Sequence, residues 1–127
     1  AEKVVNYLMS HKSVKTVSFP GIHTMGEKQN EIFKRQCLGS GAMISFEVFG
    51  GEKEAFKFLN NLKLIKLAVS LGSNESLAQH PYSMTHADVP DDIKLKIGIN
   101  QGLIRLSVGI ENAEDIISDL NNAFKEI

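Results

Sequence analysis

The sequence has a single cysteine and no long apolar run, and both features narrow the settings in which it can function. The lone cysteine among 127 residues is Cys37. It excludes an internal disulfide framework and is typical of a reducing compartment. Apolar runs such as 67–69 are far too short to span a bilayer, and the sequence opens without the charged and then apolar leader of a secreted protein. We therefore expect a cytoplasmic protein with no membrane partner.

An excess of charge of one sign is also lacking. Lys and Arg number 14 against 15 Asp and Glu, which gives a formal net charge of -1. Phosphate backbones require a basic surface, so nucleic-acid binding is not expected. A content of 43% hydrophobic and 23% charged residues predicts an ordinary globular protein of one domain.

Motifs for metal binding and for nucleophilic catalysis are missing as well. The sequence has four histidines, namely His11, His23, His80 and His86. They show neither an i, i+4 pair nor a Cys/His ligand pattern, so we predict no metal site. The Gly39-Ser40-Gly41 string lacks the spacing of a phosphate loop or of a nucleophile elbow. We expect Cys37 to be a small buried hydrophobe rather than a nucleophile.

Hydrophobic periodicity predicts alternating strands and helices along the chain. Strands are predicted at 14–19, 42–49, 64–69 and 103–108, and helices at the chain start, at 27–37, at 52–62, after Pro90 and after Asn112. The polar connection 70–86 is long for a structureless loop, which makes it a place to look for function. We predict one α/β domain over residues 1–127, with a small mixed or mostly antiparallel sheet and helices packed on one face.

The last predicted strand carries one cation on an otherwise mixed face. Its even positions, Ile104, Leu106, Val108 and Ile110, are apolar and are predicted to face the core, whereas Arg105 lies on the opposite face. The pattern alone leaves two interpretations open. Arg105 either extends along a solvated face or is held as a bidentate receptor for a carboxylate or a phosphate, for which a planar guanidinium is suited.

The segment from Val69 to Leu77 offers a second candidate. It leaves an apolar stretch directly into small and polar residues, beginning with Ser70. Backbone amides and hydroxyl groups exposed in such a turn can bind an anion. A plain loop rich in turn-forming residues is the alternative.

Several strings then occur in an order that resembles a known family. They are Ala68-Val69-Ser70-Leu71-Gly72, Glu75-Ser76-Leu77, His80-Pro81, Ser83-Met84-Thr85-His86 and the run 102–111, GLIRLSVGIE. Together they resemble the C-terminal domain of the fold type I, pyridoxal-phosphate-dependent enzymes of cysteine and methionine metabolism. The earlier stretch from Lys34 to Gly51 is similar to the family too, and the resemblance covers essentially all 127 residues.

The resemblance implies roles for particular residues. Arg105 matches the arginine that binds the α-carboxylate of an amino-acid substrate. Ser70 matches the serine that helps to hold the same carboxylate, together with the backbone of Leu71. Thr85 lies in the family's Met-Thr-His segment near the substrate pocket. The resemblance also implies the cofactor pyridoxal 5′-phosphate and a homotetrameric enzyme.

The family's cofactor-binding lysine stands in a Ser-x-Thr-Lys string, and no such string occurs in this sequence. The resemblance implies that this lysine, an aspartate for the pyridinium nitrogen and the phosphate-binding groups belong to a large N-terminal domain that is absent here. The first helix also lacks a capping residue before it, which predicts that the chain is cut from a longer protein, a processed natural N-terminus being the alternative. We therefore expect a C-terminal substrate-orienting domain with no catalytic or cofactor-binding residue of its own, inactive by itself.

The identity of the substrate depends on few residues. Many cystathionine synthases and γ-lyases of the family carry Glu immediately before the serine, where this sequence has Val69. The resemblance therefore favours an α,γ-elimination like that of the methionine γ-lyases, with a cystathionine β/γ-lyase or γ-synthase as the alternative. From the residues alone, a free-standing amino-acid-binding regulatory module and an interaction domain without a ligand also remain open.

Overall fold

The computed structural model describes residues 1–22 and 26–127, so His23 lies outside the described residues. The helices are α1 (Glu2–Ser10), α2 (Glu27–Gln36), α3 (Glu52–Asn61), α4 (Asp91–Lys96) and α5 (Ala113–Phe124). The strands are β1 (Val14–Ser18), β2 (Met43–Val48), β3 (Lys66–Leu67), β4 (Leu77–Gln79) and β5 (Leu103–Ser107). Within the described ranges, no helix has the length and apolar content needed to cross a bilayer.

The strands form one sheet in the order β1-β2-β5-β4-β3. The pairs β1–β2, β2–β5 and β4–β5 are antiparallel, whereas β3 and β4 run parallel. The predicted α/β class with a mixed, mostly antiparallel sheet is thereby confirmed.

One face of the sheet carries the core. The strand that hydrophobic periodicity predicts at 42–49 is observed as β2, in which Ile44, Phe46 and Val48 are buried while the residues between them are partly exposed. Three helices supply the other side of the core, with buried residues Val4, Val5 and Leu8 in α1, Ala55, Phe58 and Leu59 in α3, and Ile116, Leu120, Ala123 and Phe124 in α5. The opposite face of the sheet, here called the outer face, is thus left for polar side chains.

The last helix begins where the sequence predicts. The side chain of Asn112 accepts a hydrogen bond from the main-chain N–H of Glu114 at 2.9 Å, which satisfies one of the free amides of the first turn. Glu114 and Asp115 lie in that turn, where negative charge suits the positive end of the helix dipole. At the start of the chain, α1 has no side-chain cap on Ala1, as expected.

Some local predictions are wrong. Cys37 is exposed because α2 has no buried residue and so gives its C-terminal end no apolar partner. The predicted strand at 64–69 shrinks to Lys66–Leu67, both exposed, with Ile65 the buried residue of that stretch. Ile110 is 81% exposed, because β5 ends at Ser107 and the alternation ends with it.

The connection 70–86 is not structureless, which explains its length. It contains β4, three buried residues that pair with β5 on one side and β3 on the other. Sequence periodicity did not reveal β4 because all three positions, Leu77, Ala78 and Gln79, are buried and two-residue alternation is absent.

A buried carboxylate ties α5 to the chain that leaves α3. Asp119 accepts hydrogen bonds from the main-chain N–H groups of Lys63, Leu64 and Ile65 at 2.8, 3.0 and 2.9 Å. The α3–β3 connection has no helix or strand partner for these amides, so the side chain of Asp119 takes that role.

We predict that Asp119→Ala lowers the free energy of unfolding by roughly 2–4 kcal/mol, because three donors lose their acceptor. Urea unfolding of the chain measures the change. Ser118→Ala, an exposed neighbour on the same helix, is the control and should stay within about 0.5 kcal/mol of the unmodified chain. Equal stability of the two variants would contradict the structural role given to Asp119.

Candidate functional site

Four polar side chains lie in register across the outer face of the sheet. Ser18 is opposite Ser45 in the β1–β2 ladder, Ser45 is opposite Arg105 in the β2–β5 ladder, and Arg105 is opposite Gln79 in the β4–β5 ladder. Residues directly opposite each other in antiparallel strands point to the same face. These four residues are called the polar row below, and Arg105 is its cation.

The guanidinium of Arg105 is anchored to a loop by its backbone. Its Nη2 donates to the carbonyl oxygen of Val69 at 3.0 Å and to that of Ser70 at 3.3 Å. The Nε and Nη1 groups have no hydrogen-bond acceptor among the described residues. The side chain is therefore fixed in position while part of its donor set stays available.

The charge of Arg105 is not neutralised within the described chain. Its two acceptors are neutral carbonyl groups, and the ion pairs formed by the described residues do not include Arg105. Partial burial lowers the pKa of the guanidinium from its ordinary value, but that value is so high that the group stays charged at neutral pH. A held, partly desolvated and unpaired cation favours binding of an anion.

Ser70 lies beside this cation. Ser70 is exposed, and its carbonyl oxygen accepts a hydrogen bond from the guanidinium. The residue that carries the hydroxyl is therefore a direct neighbour of Arg105. Leu71 follows it with an exposed side chain. The arginine thus points into the loop that carries Ser70 and not into bulk solvent.

Thr85 joins the site through a residue that sequence analysis missed. Gln79, the neighbour of Arg105 in the polar row, is 1% exposed, and its Nε2 donates to Thr85 Oγ1 at 3.4 Å. Gln79 Oε1 is buried without a hydrogen-bond partner among the described residues. A glutamine inside a short apolar strand, Leu77-Ala78-Gln79, is the signal that could have drawn attention to it.

Ser107 is a second residue that the sequence analysis missed. It lies two positions beyond Arg105 on the same face of β5, and its Oγ accepts a hydrogen bond from the Gly72 N–H at 2.9 Å. Ser107 is nearly fully buried although it faces outward, because the loop covers it. The segment 69–76, called the 69–76 loop below, is therefore held on β5 at more than one point.

The far end of the 69–76 loop is held by a carboxylate. Glu111 accepts from the Ser76 N–H at 2.7 Å and from the Ser76 hydroxyl at 2.8 Å. Burial alone raises the pKa of Glu111, but hydrogen bonds from the Ser76 main chain, from its own N–H and from the Ser76 hydroxyl outweigh that effect and lower it. Glu111 is therefore ionised at neutral pH, and its two bonds are charge-assisted.

Comparison with known proteins identifies relatives over the whole chain. The profile of the family described as Cys/Met metabolism PLP-dependent enzyme matches residues 1–125. The L-methionine gamma-lyase of Fusobacterium nucleatum subsp. polymorphum is 49% identical over 127 residues, which are 100% of this chain and 32% of that protein. The cystathionine gamma-lyase of Bacillus subtilis is 44% identical over 127 residues, 100% of this chain and 33% of that protein.

A solved structure is similar to this fold throughout. The crystal structure of cystathionine gamma-lyase from Lactobacillus plantarum complexed with L-serine superimposes with a TM-score of 0.91 at 42% sequence identity. The match covers 100% of this chain and 32% of that one. The chain thus spans about a third of the length of the relatives that it matches.

The described residues do not form a site for the cofactor that the family's name implies. Pyridoxal phosphate is bound by a lysine amine, and the buried lysine of this structure is Lys94. Its ammonium group lies 3.3 Å from Asp91 on the same helix and 4.1 Å from the centre of the Tyr82 ring, so it is already engaged. Every other lysine of the sequence is exposed.

We predict that Ser107→Ala loosens the 69–76 loop, because the Gly72 amide loses its acceptor. Loss of one such bond should speed hydrogen exchange at Gly72 roughly 2- to 12-fold, measured by NMR on the labelled chain. Ser45→Ala removes a hydroxyl from the same face that has no hydrogen-bond partner among the described residues, and it should leave this amide unchanged. Equal exchange at Gly72 in both variants would show that Ser107 does not anchor the loop.

Proposed function

The chain belongs to the Cys/Met metabolism PLP-dependent enzyme family, and we propose that it is the C-terminal, substrate-orienting domain of a sulfur amino-acid lyase. In this proposal residues 1–127 form the small domain of a larger polypeptide. Their task is to bind the α-carboxylate of the amino-acid substrate and to fix its orientation.

The observation that carries the proposal is the unpaired guanidinium of Arg105. It is held by the carbonyl groups of Val69 and Ser70, which fix its position without neutralising it. An amino-acid carboxylate supplies the missing charge, and the Ser70 hydroxyl and the Leu71 backbone lie in the adjacent chain to assist. Gln79 belongs to the same row, and Thr85 borders it through its hydrogen bond with Gln79. The similar structure from Lactobacillus plantarum was solved with L-serine, a free amino acid, in agreement with this class of ligand.

The contribution of these residues is orientation. When bound, pyridoxal phosphate supplies the electron-withdrawing system of the reaction. Arg105 decides which way the substrate lies, and a displacement of about 1 Å can reduce the rate on the order of a hundredfold. Because the described residues do not fit the cofactor, we propose that its lysine and phosphate-binding groups lie in a large domain of the same polypeptide and that this chain alone has no lyase activity.

Exposed apolar side chains beside the site support the proposal that a large domain packs against it. Leu67, Val69 and Leu71 alternate along the chain that carries Ser70 and are each about half exposed, at 51%, 56% and 52%. Their burial against the large domain would close the site from the other side.

We further propose that the intact enzyme is a homotetramer and that it is cytoplasmic. A reducing compartment suits the exposed free thiol of Cys37.

Among sulfur amino acids, we propose methionine as the substrate, through an α,γ-elimination. Two features support this choice over cystathionine lysis or synthesis. Val69 is apolar where many cystathionine enzymes of the family carry Glu, and a methionine γ-lyase is the relative with 49% identity. A free-standing amino-acid-binding regulator would use the same arginine, and it is distinguished by measurable binding of an amino acid to the isolated chain.

We predict that Arg105→Ala in the full-length enzyme raises KM for the amino-acid substrate roughly 10- to 100-fold, because a charge-assisted contact is lost. Steady-state kinetics measure the change. Arg105→Lys keeps the charge without the planar guanidinium and should therefore raise KM less than Arg105→Ala does. Arg35→Ala, on the exposed helix α2, is the matched control, and a KM unchanged by Arg105→Ala would refute the proposed role.

We also predict that Val69→Glu lowers the ratio of kcat/KM for methionine to that for cystathionine roughly fivefold. Cystathionine carries a distal amino group that a carboxylate at position 69 can attract, whereas the methyl thioether of methionine gains nothing. Competition assays with the full-length enzyme measure the ratio. Val69→Gln, of similar size but uncharged, should change it less, and an equal effect of both substitutions would argue against this account of specificity.

A further inference from the structure

We propose that Glu111 is a positioning residue for the carboxylate site, holding the 69–76 loop so that Ser70 stays beside Arg105. The inference rests on the proposed function, because it assigns a role in binding the same substrate group. It concerns a residue outside the polar row that forms no hydrogen bond or ion pair with Arg105 among the described residues.

Glu111 closes a compact set of hydrogen bonds around Ser76. Its two carboxylate oxygens accept from the main-chain N–H and from the hydroxyl of Ser76 at 2.7 and 2.8 Å. The hydroxyl oxygen of Ser76 in turn accepts a hydrogen bond from the Gly109 N–H at 2.9 Å. Ser76 is fully buried, so water does not replace these bonds when they are broken.

The backbone around Gly109 is shaped for this contact. A Cβ at position 109 would collide with the carbonyl oxygen of Asn74 and with Oε2 of Glu111. The Asn74 carbonyl oxygen also accepts a hydrogen bond from the Ile110 N–H at 2.9 Å. The 69–76 loop and residues 108–111, which continue the chain beyond β5, therefore approach more closely than a residue with a side chain at position 109 would allow.

The contacts between the 69–76 loop and residues 105–111 follow the same order along both segments. Val69 and Ser70 are held by Arg105, Gly72 by Ser107, Asn74 by Ile110 and Ser76 by Glu111. Substrate and loop both use the guanidinium of Arg105, so the loop needs an anchor that does not depend on it. Among the contacts of residues 72–76 that meet this need, those of Glu111 with Ser76 are the charge-assisted ones, which makes Glu111 the strongest anchor.

The sign of the expected effect separates positioning from simple electrostatics. The negative charge of Glu111 disfavours a second anion nearby, so neutralising a mere bystander would strengthen carboxylate binding or leave it unchanged. If Glu111 positions the loop, its loss weakens carboxylate binding instead. A glutamine at 111 keeps one good acceptor and places an amide donor against the Ser76 donors, so it should give an intermediate effect.

The test uses the full-length holoenzyme and two small probes whose binding is followed by the absorbance of the bound cofactor. Glycine carries the carboxylate, and methylamine lacks it. We expect Glu111→Ala and Ser76→Ala to raise the Kd of glycine roughly 5- to 30-fold, with Glu111→Gln in between and methylamine binding unchanged. For the sulfur substrate, KM should rise by a similar factor while kcat changes less. Glu126→Gln, an exposed carboxylate near the chain end, is the control.

The outcomes distinguish this inference from the proposed function. If Arg105→Ala leaves glycine binding unchanged, the proposed function fails. If Arg105→Ala weakens glycine binding but the Glu111 and Ser76 variants do not, the positioning role alone is overturned. A parallel loss of glycine and methylamine binding in the Glu111→Gln and Ser76→Ala enzymes would show general structural damage and overturn it too. In an Arg105→Ala background, Glu111→Gln should add little further loss.

Discussion

The site depends on one arrangement, a guanidinium held by two neutral carbonyl oxygens on the outer face of a sheet. A carboxylate partner would have held Arg105 equally well, but it would have cancelled the charge that a ligand needs. The carbonyl groups of Val69 and Ser70 fix the side chain and leave its charge unpaired among the described residues. The entropy of ordering a long side chain is thus lost on folding rather than on binding.

This arrangement is possible because the two faces of the sheet do different work. The core face is covered by α1, α3 and α5 and buries the apolar residues of β2 and β5. None of these three helices covers the outer face, which can therefore carry the polar row. The carboxylate of Asp119 secures the chain between α3 and β3 from within, so the segment that leads into the 69–76 loop starts from a fixed point.

How far the sequence predicts the molecule depends on how local each signal is. The burial pattern of β2 and the Asn112 cap are set by neighbours within a few residues, and both are confirmed. The predictions of a buried Cys37 and of a strand at 64–69 are wrong, because burial is decided by which distant element packs on a segment. Ser107 and Glu111 were missed for the same reason, since each acts on a loop residue 35 positions away. Arg105 was found by its place in an apolar strand, but the pattern alone left it ambiguous, and the family resemblance supplied the role that we propose.

The proposed site also separates orientation from substrate choice. The α-carboxylate is common to all amino acids, so binding it orients a substrate without selecting one. Selection would fall to side chains around it, such as Val69, which directly precedes Ser70. Arg105 contacts residue 69 through its main-chain carbonyl and not through its side chain, so the side chain at that position can change while the backbone stays held. In the proposed function a single arginine would therefore fix both the substrate and the backbone of a residue that can adjust specificity, so that one fold could serve different amino acids.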